Sequence, residues 1–327
     1  MQLEALTIIL RSSLSILNKR DIQMAADTIG QYAGQYGSSE NELIRLGDDC
    51  AAIPDGDRYL LLAAEGIWPQ LVAQDPWFAG WCAVMVNVSD IAAMGGEPIA
   101  VVDALWSRTV EESAPIWAGM KAAAQAYDVP IVGGHTNCHS PYAGLAVAIL
   151  GRAERLITSF DACAGDALVM VVNMAGEYYK DYPFWNAATM ADAGEVRSHM
   201  KLLPQLAIAG LVNAGKDISM GGVAGTLLML AEASGCGALL NLDNMPCPAE
   251  VSWEKWLTSF PSFGFLLSVP MQQIEAVQAI FQPQSLACEV IGEMVAGTEV
   301  HLQVQGEKQL LWDLTHSLTG FGEQVAD

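Results

Sequence analysis

Asn87-Val88-Ser89-Asp90-Ile91-Ala92-Ala93-Met94-Gly95-Gly96-Glu97-Pro98 closes a strongly apolar helical pattern. Upstream, Trp77, Trp81, Val84, Met85, Val88, Ile91 and Ala92 recur at near-helical spacing, which predicts a helix over 77–94. Asn87 and Asp90 lie three residues apart and are neighbours on one edge of that helix, beside its apolar stripe. Everything around them is apolar or small, so the helix is expected to be buried on most sides. A carboxylate in such surroundings wants a partner. The alternative is that Ser89 and Asp90 are solvated residues on the helix surface.

Short apolar runs and helical patterns alternate outward from this segment. Strands are predicted over 59–64, 99–106, 130–132 and 143–150, and a second helix over 111–127 with acidic residues in its first turn. The patterning weakens over 151–165, which divides the chain into domains at 1–155 and 156–327. The second domain reads as a strand over 167–173 and a helical region over 194–213 that Pro204 kinks or breaks. A helix over 221–234 stopped by Gly235, a strand over 238–243 and an insertion rich in Trp and Pro follow. A strand over 263–269, a helix over 271–281 and a strand over 287–292 complete it. The glycine-rich segment at 221 has no convincing strand ahead of it. Mixed strands and helices mean α/β or α+β, and periodicity alone does not separate the two.

Composition sets the outer bounds. A length of 327 residues fits about two domains, and 52% apolar against 16% charged residues supports substantial cores. With 15 Lys+Arg against 37 Asp+Glu the formal charge is −22, which argues against nucleic acid or anionic lipid as a partner. No apolar stretch approaches the roughly 20 residues of a membrane span, and no basic-then-apolar leader opens the chain. The 7 cysteines are odd in number, scattered and without a C-x-x-C pair, the pattern of reduced thiols in a cytoplasmic protein.

Several segments carry possible chemistry. Gly47-Asp48-Asp49-Cys50-Ala51 sets two adjacent carboxylates before a strand. Neighbouring carboxylates repel unless solvated or neutralised, and oxygen-rich anionic clusters suit Mg²⁺. An Asp-Asp turn is the plainer reading. Val132-Gly133-Gly134-His135-Thr136-Asn137 reads as a glycine turn after a strand, with backbone N–H groups able to cradle phosphate oxygens. His135, Cys138 and His139 lack a second ligand pair at zinc spacing. Asp217-Ile218-Ser219-Met220-Gly221-Gly222 runs into an apolar helix. It is either an anion or metal site, or a core helix capped by Ser219. Met220 stands where a dinucleotide fingerprint needs its first glycine. There is no G-x-S-x-G elbow, Walker loop or H-E-x-x-H motif.

Taken in order, these segments resemble the aminoimidazole ribonucleotide synthetase (PurM-like) superfamily, which includes that enzyme, thiamine-monophosphate kinase, selenophosphate synthetase and HypE. Asp75-Pro76 through Asn87–Pro98 is similar to the family helix ending N-x-S-D-x-x-A-M-G-x-x-P, and Gly47–Ala51 to G-D-D-A-A. Gly133–Thr136 is similar to G-G-[DH]-T, Asp217–Gly222 to D-x-[ST]-x-G-G, and Gly165–Leu168, Gly264–Leu267 and Ile291-Gly292 to later strands. The likeness runs from Leu46 to Gly292.

The resemblance implies an α+β fold: a PurM-like N-terminal domain forming a β-barrel across a homodimer, and a PurM-like C-terminal α+β domain. It implies ATP and Mg²⁺ as cofactors, with Asp48, Asp49, Asp90 and Asp217 as metal ligands and Glu65 standing where members carry a strand-end aspartate. Gly133, Gly134, His135 and Thr136 become nucleotide-phosphate contacts, with Asn87 beside them. An N-terminal arm, 1–40, is expected to be partly mobile and to order over the phosphates, with Lys19 or Arg20 reaching the charge.

The departures matter too. Glu65-Gly66-Ile67-Trp68-Pro69 lacks the His-Phe pair of thiamine-monophosphate kinases, and Met220 replaces the second Asp of their D-I-S-D-G. The chain lacks HypE's terminal cysteine, and its N-terminal arm lacks the cysteine of selenophosphate synthetases. The expected function is ATP-dependent phosphoryl transfer to an oxygen of a small molecule, with no general base named. The alternative is a nucleotide-binding regulator or assembly partner without turnover.

Overall fold

The computed structural model describes residues 2–33 and 45–321. They form two compact units, neither a single stretch of chain. One comprises Cys50–Leu156 and Ala188–Ile208; the other comprises residues 2–33, 45–49, 157–187 and 209–321. Both mix helices and sheets, so the fold is α+β.

The first unit is built on an open five-stranded sheet. Its strands are β1 (Ala51–Asp55), β2 (Arg58–Gly66), β3 (Glu97–Trp106), β4 (Ile131–Asn137) and β5 (Gly144–Ala153), in the order β1-β2-β5-β3-β4. β1 is a strand the sequence patterning does not announce. It pairs antiparallel with β2 through a tight turn at Gly56, whose φ of +66° favours glycine. Pro54 is tolerated there because β1 is an edge. Inward residues alternate along the strands: Leu61 and Ala63, Val101 and Leu105, Leu145, Val147 and Ile149 are all buried.

The helix Pro76–Ala93 starts with proline in its first turn, where the missing N–H costs nothing, and is buried on almost every side. It crosses the helix Val110–Tyr127 at two glycines. A Cβ on Gly119 would lie 1.8 Å from the Trp77 carbonyl oxygen, and one on Gly80 2.1 Å from that of Ile116. Thr109 caps the second helix by accepting from Glu112 N, with Glu111 and Glu112 in its first turn.

The second unit holds ten strands: β6 (Ala167–Val172), β7 (Glu177–Tyr178), β8 (Phe184–Asn186), β9 (Ala214–Asp217), β10 (Gly237–Asn241), β11 (Phe260–Pro261), β12 (Gly264–Val269), β13 (Ala287–Val295), β14 (Glu299–Val304) and β15 (Glu307–Asp313). Seven make a sheet of order β15-β14-β10-β13-β6-β12-β9, and β11-β8-β7 make a small one. Helix Gly222–Ser234 is apolar apart from Thr226, Glu232 and Ser234, and is buried in the core with Leu168, Met170, Leu240, Leu266, Leu302 and Leu311. Gly235, at φ +65°, ends it.

Three expectations are corrected. A strand, β9, does precede the glycine segment at 221. The 194–213 region breaks at Lys201, between helices Ala193–Met200 and Leu202–Ala209, and Pro204 lies inside the first turn of the latter. The N-terminal segment is also no loose arm over its described length. Leu6, Leu10 and Ile16 are fully buried in the second unit's core, and the Arg11 guanidinium donates to the carbonyls of Leu310 and Leu311. Residues 34–40 of the expected arm lie outside the described residues.

The expected closed barrel is not formed by this chain alone: among the described residues the five-stranded sheet is open, with β1 and β4 as its edges. No described helix is long and apolar enough to cross a membrane.

Candidate active site

In the second unit, the acidic residues from two distant segments meet. Gly47 has φ +101°, and the side chain of Phe321 comes within 2.5 Å of where its Cβ would be, so the chain turns there only with glycine. Asp48 then receives hydrogen bonds from Ser159 N, at 3.2 and 3.0 Å to its two oxygens, from Ser159 Oγ, and from Asp49 N at 3.0 Å. Burial, with the charge of Asp49 adding to it, pushes Asp48 up to about 6 despite the attraction of Lys216 and the Ser159 hydrogen bonds.

Asp49, with a side chain only 5% exposed, is ion-paired to Lys216 Nζ and accepts from Asp217 N at 3.3 Å. Oxygens of Asp49 and Asp217 come within 4.8 Å of one another. Burial works against the Lys216 charge, but Asp49, then Asp48 and Asp217, more than offset it, and its pKa is raised. Asp217 ends β9, and its carbonyl accepts from Thr226 Oγ1 of the following helix at 3.3 Å. That helix is capped by Gly221, at φ +101°, rather than by Ser219. Gly222 is required sterically: a Cβ there would lie 2.4 Å from the Leu257 carbonyl oxygen.

The same unit carries Lys19 and Arg20 on the 3₁₀ turn Asn18–Asp21. Lys19 is half-buried. The Arg20 guanidinium lies over the Trp312 ring, 5.2 Å from its centroid.

The first unit holds the remaining residues singled out by the sequence. Asn87 and Asp90 are both buried on helix Pro76–Ala93. Asn87 Nδ2 donates to the Ala83 carbonyl at 2.8 Å, while its Oδ1 has no hydrogen-bond partner among the described residues. Gly133, Gly134, His135 and Thr136 do not form a turn. They are extended in β4, an edge strand exposed along most of its length. Glycine serves close approach here, since a Cβ on Gly134 would lie 2.1 Å from Asp103 Oδ1. Glu65, exposed near the end of β2, pairs in register with Val147, which pairs with Asp103, which pairs with Gly134. Glu65 and Asp103 therefore share one row and one face, roughly 10 Å apart, or two strand spacings.

Asp103 is the functional candidate in this unit that the sequence does not reveal. It is 5% exposed, and neither carboxylate oxygen has a hydrogen-bond partner among the described residues. Burial raises its pKa, opposed in part by its own backbone N–H dipole and by the nearby His135. His135 itself packs beside Trp106, with ring centroids 6.2 Å apart. The available signal is an Asp alternating with Val101 and Leu105 on the inward face of a strand. In the other unit Lys216 and Ser159 also escape the sequence reading. Lys216 is one of 15 cations in the chain and stands directly before Asp217, at the edge of a motif the sequence does single out.

The ligand atoms that Asp49 and Asp217 offer are carboxylate oxygens, the kind a hard divalent cation such as Mg²⁺ takes.

Comparison with known proteins speaks to the family. The family description "AIR synthase related protein, N-terminal domain" matches residues 47–153, and the corresponding C-terminal domain matches residues 156–305. An uncharacterized protein of Synechocystis sp. is 55% identical over 97% of this chain and 98% of its own length. The thiamine-monophosphate kinase of Synechococcus elongatus is 27% identical over 81% of this chain and 88% of its own. Among solved structures, AaThiL complexed with AMPPCP and TMP matches with a TM-score of 0.64 at 22% identity, covering 86% of this chain and 93% of that one. At that identity the likeness is one of fold. With both domain descriptions matched in order and a relative more than half identical along nearly its whole length, the chain belongs to the AIR synthase related protein family.

Proposed function

We propose that the protein is an ATP-using, Mg²⁺-dependent enzyme that transfers a phosphoryl group to an oxygen of a small molecule. The observation that carries this is the meeting of the Asp49 and Asp217 carboxylates, with oxygens within 4.8 Å of one another, beside Lys216. Support also comes from a relative described as a thiamine-monophosphate kinase and a fold neighbour holding AMPPCP. Asp49 and Asp217 would hold Mg²⁺, with Asp48, Asp90 and Glu65 as further ligands on the family resemblance. Bound metal would neutralise the charge of the transferring phosphate. Asn87, His135, Thr136 and the glycines of β4 are the proposed nucleotide contacts, and Lys19 supplies positive charge. The open sheet of the first unit is completed by a second copy as a homodimer.

Asp103 has the properties of the group that takes a proton from the acceptor: a buried carboxylate with a raised pKa and unengaged oxygens. It also favours turnover over the alternative of a regulator, which has no use for a carboxylate left unsatisfied.

Calorimetry with AMPPCP, with and without Mg²⁺, tests the binding, and ADP release across a metabolite panel tests turnover. The expected result is Mg²⁺-dependent binding that Asp90→Asn weakens at least about tenfold without lowering the melting temperature. Asp103→Asn should keep AMPPCP binding while losing ADP release by about 100-fold or more. Absence of nucleotide binding at millimolar Mg²⁺ sinks the reading. Binding without ADP release across a broad panel selects the regulator instead.

A further inference from the structure

We propose that Cys163 and Cys236 are a redox-reactive thiol pair, closed into a disulfide by a low-molecular-weight disulfide such as glutathione disulfide. The bond locks the turn that holds Asp48. It needs neither metal nor ATP, so it stands apart from the nucleotide reading above.

Two strands of the second unit begin at the same end of its sheet. β6 and β10 both pair antiparallel with β13, whose end lies between their beginnings. Cys163 stands on the turn leading into β6. Cys236 directly precedes β10, just after helix Gly222–Ser234 ends at Gly235. The two approaches touch on either side of the cysteines. Ala162 N donates to Ser234 Oγ at 3.1 Å. Gly165 N donates to the Met294 carbonyl at 2.8 Å, and Met294 pairs in register with Ala238. The turn carrying Cys163 is therefore held beside the segment carrying Cys236. A disulfide brings its Cα atoms to about 5.5–6 Å. The turn has room to close, because a Cβ on Gly165 or on Gly235 would meet nothing within 4 Å.

The two thiols divide the work. Of the seven cysteines only Cys163 is exposed, while Cys236 is 6% exposed and buried. Burial, then the charges of Cys163 and Asp166, push the Cys236 thiol up to about 11. An external disulfide therefore meets Cys163 first. The Cys163 thiolate attacks one sulfur of glutathione disulfide, and one glutathione leaves as a thiolate that takes up the proton Cys163 lost. Cys236 then gives up its proton and attacks the Cys163 sulfur. The second glutathione leaves and takes that proton. Two protein thiols are oxidised by two electrons, and one glutathione disulfide is reduced to two thiols.

What the bond fixes is the anchor of Asp48. Ser159 donates its N–H and its hydroxyl to Asp48, and its carbonyl accepts from Ser234 Oγ at 2.7 Å. Ser234 Oγ thus joins the turn to the helix end through Ser159 and Ala162. The disulfide adds a covalent tie one residue beyond Ala162, so local opening that releases Asp48 becomes rarer.

The full chain is incubated with glutathione disulfide at mildly alkaline pH, alkylated, and mapped by peptide mass spectrometry. Wild type should end with Cys163 linked to Cys236 and no bound glutathione. Cys236→Ala should stop with one glutathione on Cys163, and Cys163→Ser should carry none. Amide hydrogen exchange then reads the turn: oxidation should slow exchange at Ser159 N by about tenfold or more in wild type. Dithiothreitol should reverse that slowing, and Cys163→Ser should show none of it. Cys163→Ser changes only an exposed side chain, so the comparison stands should Cys236→Ala not fold. Wild type that keeps glutathione on Cys163 without closing, or links either cysteine to a different one, overturns the pair. A Cys163–Cys236 bond that leaves Ser159 exchange unchanged overturns the lock on Asp48.

Discussion

Asp48 is hydrogen-bonded from two sides by Ser159 and still titrates near 6, because burial and the adjacent Asp49 charge outweigh those bonds. Its folded pKa lies above the ordinary 3.8. The stability this group contributes is therefore complete below about pH 4 and is lost as pH rises through about 6. Wild type without metal should lose on the order of 3 kcal/mol from this source between pH 4 and 7, because each pH unit separating the folded and unfolded pKa values is worth about 1.4 kcal/mol. Asp48→Asn should not. Chemical denaturation of both proteins across that range isolates the effect, and parallel curves would mean that Asp48 is not strained. The acidic pair is legible from Gly47-Asp48-Asp49 alone, since adjacent carboxylates need a cation or solvent wherever they are. Lys216 is not, because its place beside Asp49 is made by β9 and not by sequence proximity.

At the scale of elements, the C-terminal end of helix Gly222–Ser234 ties the acidic segment down twice. Ser234 Oγ donates to the Ser159 carbonyl at 2.7 Å, and Ser159 in turn holds Asp48. Glu232, buried, accepts from Leu318 N at 2.6 Å and from Thr319 N at 2.8 Å, fixing the stretch that sets Phe321 against Gly47. Glu232→Ala leaves those buried donors without an acceptor and should cost about 3 kcal/mol, read as a lower denaturation midpoint at unchanged slope. A loss below about 1 kcal/mol would mean that the tail is held by packing alone. The long helices are readable because their apolar spacing persists over several turns. β9 is not, because Ala214-Gly215-Lys216-Asp217 is short and has no β-branched residue; its strand state comes from pairing with β12. Gly133-Gly134 reads as a turn for the same kind of reason: from sequence alone, a glycine that avoids Asp103 looks like a glycine that permits a bend. Pro204 reads as a break, but in the first turn of a helix it removes no hydrogen bond.

At the scale of the whole molecule, the decisive feature is the uncovered face of the five-stranded sheet. Leu62 pairs with Leu150 and Val102 with Ala148, which sets Leu62, Leu150 and Val102 on the face opposite the buried Leu61, Val101 and Ile149. Those three side chains are 46%, 37% and 42% exposed, and Ala64, Ala100, Ala104 and Ala146 continue the surface without a charge. A contiguous apolar sheet face of this kind marks an interaction surface. The −22 charge of the chain opposes self-association elsewhere, so a specific apolar patch is where a second copy gains most. We expect light scattering to give twice the chain mass at micromolar concentration. Val102→Lys with Leu62→Lys should give a monomer that melts cooperatively, since neither side chain is part of the buried core. A wild-type monomer, or a dimer unchanged by the double substitution, would remove this face as the interface and the completed barrel with it.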